Sequence, residues 1–361
     1  MEFRILENGV SAEHDGPRIF ADGVSPDHYD ATRDIDLSHW VPNQTPEEYK
    51  ADSSTEICMN FAEYGPIANY SLVLNNHLDT DGLLSVFSLL YPKFALKYKK
   101  LIIEVAEAGD FWSGLSLRGA KVYETLVVWT EKLLKGHTQQ ETYVILMERL
   151  PHLLEAPDKF EAIWKEGVEN FQHSQTLLNE GSISREEFGD IVCYTIPQTL
   201  DEIHTQSGDP RMSFSSSLTF QTTLLPQVMN SQDGERITLI ATEMDKGYRY
   251  DLQYPWYVWA ETPNRWIPPD LRFKPSKRGT DEVGLSNSEL EVAVAELNTH
   301  EANDGEWILA DTLQFKGVPG RGFPVALSFM KEETAAVSSI SPSEVIEILD
   351  PCFNEAVAHK A

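Results

Sequence analysis

The chain is short of cysteine, of positive charge and of long apolar runs. Its 361 residues include three cysteines, Cys58, Cys193 and Cys352, dispersed along the chain and without a CxxC pair. An odd, scattered set excludes a disulfide framework and a thiolate zinc site, and leads us to expect a reducing, cytoplasmic setting. Lys and Arg total 29 against 57 Asp and Glu, a formal net charge of -28. A surface of that sign repels nucleic acid and anionic lipid, so neither is an expected partner. No stretch approaches the ~20 apolar residues of a membrane helix. The opening MEFRILENGV has no basic segment leading into an apolar one, so no signal peptide is expected. The chain also lacks GxxxxGK[ST], a GxGxxG after a strand, HExxH and GxSxG. Those absences set aside the P-loop, nucleotide-redox, zincin and serine-hydrolase classes.

What is present is patterned unevenly. Residues 1–50 are rich in Asp, Pro, Gly and His, carry Trp40 and show no period, so an ordered but irregular segment is expected. SSTEICMNFAEY has an N-cap serine at 53 or 54 with Glu56 close behind, which predicts a helix to about Tyr64. NYSLVLNN is a short β-branched apolar run and reads as a buried strand. From there to Gly181 the periodicity is helical, with a stop at Gly136 and a Thr138 cap. After about residue 186 strand-like runs appear, among them DIVCYTIP, SFSSSLTFQTTLL, ERITLIATEM and YRYDLQYPWYVWAE, followed by helices near 287–300 and after 341. The expected fold is α/β. Residues 1–200 would form a half with parallel strands and many helices, and residues 201–361 a strand-rich α+β half that binds substrate.

The stretch from 75 to 87, NNHLDTDGLLSVF, places His77, Asp79 and Asp81 one residue apart where a strand becomes a helix. In extended chain, side chains at i, i+2 and i+4 share one face, so the three would converge if the strand geometry holds that far. Carboxylates with one imidazole suit a hard divalent cation, Mn²⁺ first, with Mg²⁺ or Fe²⁺ as alternatives. The plain alternative makes Asp79 and Asp81 turn and cap residues and leaves His77 on the surface.

Asp79, Asp81, Gly82 and Ser85 resemble motif I of the DHH phosphoesterase superfamily. The resemblance implies a Mn²⁺ centre that activates water and neutralises phosphate. The chain has no Asp-His-His triplet, and the first-motif histidine of the pyrophosphatase-like branch would fall at Asn75. Over most of its length the sequence also resembles an uncharacterised bacterial domain family with an SHW segment, an NNHxDxDG core and a later YPWYVWAET segment.

Further residues are candidates for the same centre. Asp110, in EVAEAGDF, is favoured over Glu104 and Glu107 as another metal ligand. His204 in TLDEIHTQSGD and His39 in DLSHWVPNQTP are candidate acid–base groups, since imidazole titrates near neutrality. Ser38, Arg265 and Arg321 are candidate contacts to an anionic substrate, the arginines through bidentate guanidinium hydrogen bonds. The sequence therefore predicts a metal-dependent hydrolase of a phosphoester or similar small anion. A metal-dependent biosynthetic enzyme with other chemistry and a non-catalytic cation-binding protein are the alternatives.

Overall fold

The computed structural model describes residues 1–6, 12–23, 29–200, 223–267, 271–275, 281–285, 288–310 and 317–354. The chain divides into two units. One comprises Met1–Asn170 with Ala260–Arg265, the other Phe171–Trp259 with Trp266–Ala361.

The first unit is built on β1 (Glu2–Ile5), β2 (Arg18–Ala21), β3 (Ile35–Leu37) and, after helix α1 (Ser54–Tyr64), β4 (Leu72–Asn75). These strands form one sheet in the order β1-β4-β2-β3, and every pairing is parallel. Three of the four strands lie in the segment that the sequence presents as irregular. They are three or four residues long, and β2 and β3 are buried throughout. A strand covered on both faces needs no polar alternation, so no period marks it.

Helices α2 (Thr80–Leu90), α3 (Pro92–Lys97), α4 (Lys99–Asp110), α5 (Leu117–Leu134) and α6 (Gln139–Glu155) follow. Ile19, Ala21, Leu37 and Val73 of the sheet join the same apolar core as Leu83, Leu84 and Phe87 of α2 and Ile102 and Val105 of α4. The alternate strand residues Phe20, Leu72 and Leu74 pack with Ala12 in a smaller cluster. Ser53 caps α1 by accepting from the Glu56 N–H. Thr138 caps α6, as the sequence leads one to expect, and with Glu141 it completes a reciprocal capping box. A buried ion pair braces the sheet, with the Arg18 guanidinium donating to both oxygens of Asp34. Those hydrogen bonds outweigh burial and hold the Asp34 carboxyl down at about 2.

Helix α7 (Glu161–Asn179) leads into the second sheet. Its strands are β5 (Ser184–Phe188), β6 (Ile191–Ile196), and, after α8 (Pro226–Asp233), β7 (Ile237–Met244) and β8 (Gly247–Gln253). The hairpin β9 (Leu271–Pro275) and β10 (Asp281–Leu285) stands apart from it. Then come α9 (Ser288–His300), β11 (Glu306–Leu309), β12 (Val325–Lys331), β13 (Thr334–Ala335), α10 (Pro342–Leu349) and α11 (Pro351–Asn354). The order is β11-β12-β8-β7-β6-β5, with β13 paired to β12 and only β6 and β7 parallel. The fold is thus mixed α/β, with a parallel sheet in the first unit and a mixed, mainly antiparallel one in the second. The aromatic run after β8 is not a continuing strand: β8 stops at Gln253, and Tyr254–Trp259 form a buried turn. Pro255 has no N–H to offer a ladder, which ends the strand there. Residues 213–222 of the SFSSSLTFQTTLL run lie outside the described residues.

Arg321 lies in the second unit and is buried. Its Nε donates to Asp251 Oδ1 at 3.1 Å and its Nη2 to Oδ2 at 2.8 Å. The guanidinium that the sequence offers to a substrate anion is therefore engaged by a carboxylate of β8. Removing one member of a buried pair strands the other charge, at a cost of about 3–5 kcal/mol. Arg321→Ala should lower unfolding free energy by that order in urea titrations; a change under ~0.5 kcal/mol would show that the pair does not brace the second unit.

Candidate metal centre

Three chain segments leave the parallel sheet side by side, and each delivers one titratable group. Asp22 follows β2 directly, His39 lies two residues beyond β3, and His77 lies two residues beyond β4. In α/β sheets the carboxyl ends of parallel strands are where ligands bind, since side chains there converge without any sheet face to cover them. The N-terminus of α2 enters at the same edge. Asp79 caps it, accepting from the Gly82 N–H at 2.7 Å, and Asp81 sits in its first turn.

The result is two triads that share one carboxylate. Asp22, His77 and Asp79 bring ligand-type atoms within 4.8 Å of one another, and so do Asp22, His39 and Asp81. In the first triad His77 Nε2 lies 3.1 Å from Asp22 Oδ2 and 2.9 Å from Asp79 Oδ2. In the second, His39 Nε2 lies 3.9 Å from Asp22 Oδ1 and 3.8 Å from Asp81 Oδ2. Asp110, the last residue of α4, adds a carboxylate oxygen 3.1 Å from the same nitrogen. The two triads differ in access. The second is buried throughout, whereas His77 and Asp79 keep 30% and 38% of their side-chain surface exposed.

Both imidazoles are oriented from behind. His39 Nδ1 lies 2.8 Å from the Asp52 carbonyl, and His77 Nδ1 lies 2.7 Å from Asn76 Oδ1. A carbonyl-type oxygen only accepts, so each Nδ1 carries the proton and each Nε2 points toward the carboxylates. That is the arrangement by which a partner behind the ring presents a histidine to a metal. The carboxylates are held as well. Asp22 Oδ1 accepts from Ser54 Oγ at 2.9 Å and from Trp40 Nε1 at 3.1 Å. Asp81 accepts from the Ser54 and Thr55 N–H groups at the start of α1, at 3.0 and 2.9 Å. A helix N-terminus favours negative charge, so the free N–H groups of α1 and α2 both stabilise the acidic cluster.

Backbone shape adapts to this crowding. Asp22 has a φ of 59°, a strained setting that costs of order 1 kcal/mol or more and is found at functional sites. A Cβ on Gly82 would come within 2.9 Å of Asp22 Oδ2 and 3.0 Å of Asp79 Oδ1. Glycine is thus required where the helix start meets the carboxylates.

The charges are strongly coupled. Burial alone would lower the His39 imidazole, but Asp110, Asp81 and Asp22 outweigh it and push it up to about 9. Burial likewise opposes the rise of His77, which Asp79 and Asp22 carry well above its usual value. Burial and the Asp22 charge push Asp81 up to about 7. Burial and the neighbouring aspartates raise Asp110 well above the carboxylate range. Asp22 moves the other way, because His77 and His39 overcome its burial and lower it. With no cation bound, protons on the imidazoles balance the acidic cluster. The ligand set, oxygen donors with two imidazoles, fits Mn²⁺, Mg²⁺ or Fe²⁺.

Of the residues singled out from sequence, His39, His77, Asp79, Asp81 and Asp110 come together. They do not share one extended face, as i, i+2, i+4 alternation predicts. The strand ends at Asn75 and the helix begins at Thr80, so Asp79 turns to His77 while Asp81 turns inward to His39. The cap role and the cluster role of Asp79, alternatives in the sequence, are both real contacts of one side chain. Ser38 is buried and accepts from the Trp40 N–H, so it shapes the loop that carries His39. Arg265 is bound to Glu107 and lies beside Asp52. His204 lies outside the described residues. Asp22 is a member of the cluster that the sequence does not single out, although FADG places a carboxylate and a glycine at the end of an apolar run, the same signal as Asp81–Gly82.

The raised imidazole has a consequence for stability. The folded protein keeps a proton on His39 up to about pH 9, whereas the unfolded chain releases it near 6.5. Its contribution is therefore present below about pH 6.5 and lost as pH rises through about 9. Chelator-treated protein should melt at progressively lower temperature over that window, and His39→Gln should flatten the decline. Parallel melting curves against pH for the two proteins would instead place the decline on other groups.

Neither the curated proteins nor the solved structures contain a significant match to this chain. Residues 10–276 match one protein family and include every residue of both triads as well as Asp110. The chain belongs to that family, a family of unknown function designated DUF6687.

Proposed function

We propose that this chain is a metal-dependent hydrolase acting on a phosphoester or a similar small anion. The observation that carries the reading is the pair of His/Asp triads joined at Asp22, with both imidazoles held so that Nε2 faces the carboxylates. The resemblance of Asp79, Asp81, Gly82 and Ser85 to the DHH phosphoesterase motif agrees with it. Divalent cations, Mn²⁺ foremost, would supply Lewis-acid polarisation of the substrate and acidify water at neutral pH.

The residues of the chain divide the work. Asp22 is the carboxylate common to both positions. Asp81 and His39, backed by Asp110, form the enclosed side, and His77 and Asp79 form the side open to solvent, where a substrate would enter. Trp40 stands edge-on to His77 at 5.7 Å and donates to Asp22, closing one flank. Four carboxylates in this space repel an anion, so substrate binding depends on the cations that neutralise them. Because both imidazoles must lose a proton to become ligands, cation binding releases protons and strengthens as pH rises.

The test is metal analysis of freshly purified protein, followed by phosphatase and phosphodiesterase panels with Mn²⁺. Asp22→Asn is the informative variant, since asparagine tolerates the positive φ but removes the shared charge. It should lose most of the bound metal and at least a hundredfold in turnover while keeping its circular dichroism spectrum. Asp79→Asn should keep the helix cap, for which asparagine serves as well as aspartate, and still bind metal less tightly. Wild type that holds no metal above background and gains no thermal stability from Mn²⁺ would sink the reading. Stoichiometric metal without turnover on any phosphoester would leave a cation-binding protein and remove the hydrolase.

A further inference from the structure

Residues Ala260–Arg265 belong to the first unit although the chain on both sides of them belongs to the second. What these six residues touch is unusual. Ala260 pairs with Trp40 in an isolated antiparallel bridge, and the Glu261 N–H donates to the His39 carbonyl at 2.8 Å. The Glu261 carboxylate accepts from Asn43 Nδ2 at 2.9 Å and from Lys50 Nζ at 2.7 Å. The Asn264 N–H donates to Asp52 Oδ1 at 3.0 Å. Every one of these partners lies on the stretch from 39 to 52 that leaves β3 with His39.

Arg265 reaches further. Its Nη2 donates to Glu107 on the last turn of α4, its Nε is 3.6 Å from Asp52 Oδ2, and its guanidinium lies over the Phe111 ring at 5.0 Å. Phe111 in turn packs against the His39 ring, 5.4 Å between centroids. The two groups that hold the two ring nitrogens of His39 are the Asp52 carbonyl and the Asp110 carboxylate. Arg265 thus ties the residue behind Nδ1 to the helix end that carries the partner of Nε2.

We propose that Ala260–Arg265 is a strap that positions His39 for cation binding, with Arg265 as its positioning residue. The consequence for metal affinity rests on the metal-centre reading given above; the positioning of the ring does not. A planar guanidinium is suited to this place, since it can bond one carboxylate, approach another and stack on an aromatic face at once, whereas an ammonium is a point charge. Groups behind a ligating histidine typically govern 10–100-fold in metal affinity.

The experiment uses the full chain as wild type, Arg265→Ala and Arg265→Lys, with two readouts. In chelator, proton NMR follows the downfield His39 Nδ1 proton, which its bond to Asp52 should protect from exchange. In Mn²⁺ titrations, the buried and the open positions are resolved by comparison with His39→Ala and His77→Ala. Both Arg265 variants should broaden or lose the Nδ1 signal and weaken the His39 position about tenfold to a hundredfold. The His77 position should change less than threefold, and lysine should not rescue. Unchanged Nδ1 signal and affinity, or equal losses at both positions, would overturn the strap. If Arg265→Ala does not fold, Glu261→Ala removes only the anchor to Asn43 and Lys50, and must show the same selective weakening, smaller in size. Wild type with a protected Nδ1 proton that the variants lose, but with no metal bound, would refute the hydrolase reading and leave the strap standing.

Discussion

The interaction on which the carboxyl edge of the first unit's sheet depends is the sharing of Asp22 between two imidazoles. It is a fully buried carboxylate in a left-handed backbone setting, directly after a four-residue strand. A lone buried carboxylate is costly by several kcal/mol. Here it is held by the Ser54 hydroxyl, the Trp40 indole and His77, and it sits near His39. The rest of the edge follows from accommodating it. Gly82 leaves room for it, Asn76 turns His77 toward it, and α1 starts where its first N–H groups can hold the neighbouring Asp81.

That concentration of like charge is costly to hold in a buried place. Two buried ion pairs among the described residues show the contrast. Asp251 is met by the Arg321 guanidinium, and Asp34 by those of Arg18 and Arg33, so each buried carboxylate has at least one full positive charge beside it. At the sheet edge four aspartates face two imidazoles, and without a cation the cluster is balanced by a raised proton affinity of both rings and of the Asp81 and Asp110 carboxyls. Such tension among titratable groups in one place is the usual mark of a functional site. A divalent cation would relieve it, because it replaces the protons with a more concentrated positive charge.

The division between exposed and buried triads gives the edge a direction. The buried side is tied to α1 and α4, and to residues 260–265 of the same unit. The open side rests on α2 and the turn before it. Rigid elements hold the part that no solvent reaches, while the solvent-facing His77 and Asp79 occupy the short connection between β4 and α2. Loops set on a rigid scaffold commonly carry function in this way.

Local sequence determined the helices, their caps and the existence of a charged turn after β4, because those features rest on interactions within a few residues. The Ser53 and Thr138 caps, the helical period up to Gly181 and the HxDxDG turn could all be read directly. Short parallel strands could not, since β1, β2 and β3 take their stability from neighbours far along the chain and are too brief to show a period. For the same reason strand alternation predicts one face for His77, Asp79 and Asp81, whereas the change from strand to helix splits them. Asp22 and His39 stand 17 residues apart in sequence and meet only because β2 and β3 pair in parallel. Residues 260–265 join them from more than 200 positions away. The sequence supplied the residue types, and only the tertiary structure decided which carboxylate would be shared, since that choice depends on the order in which the strands lie in the sheet.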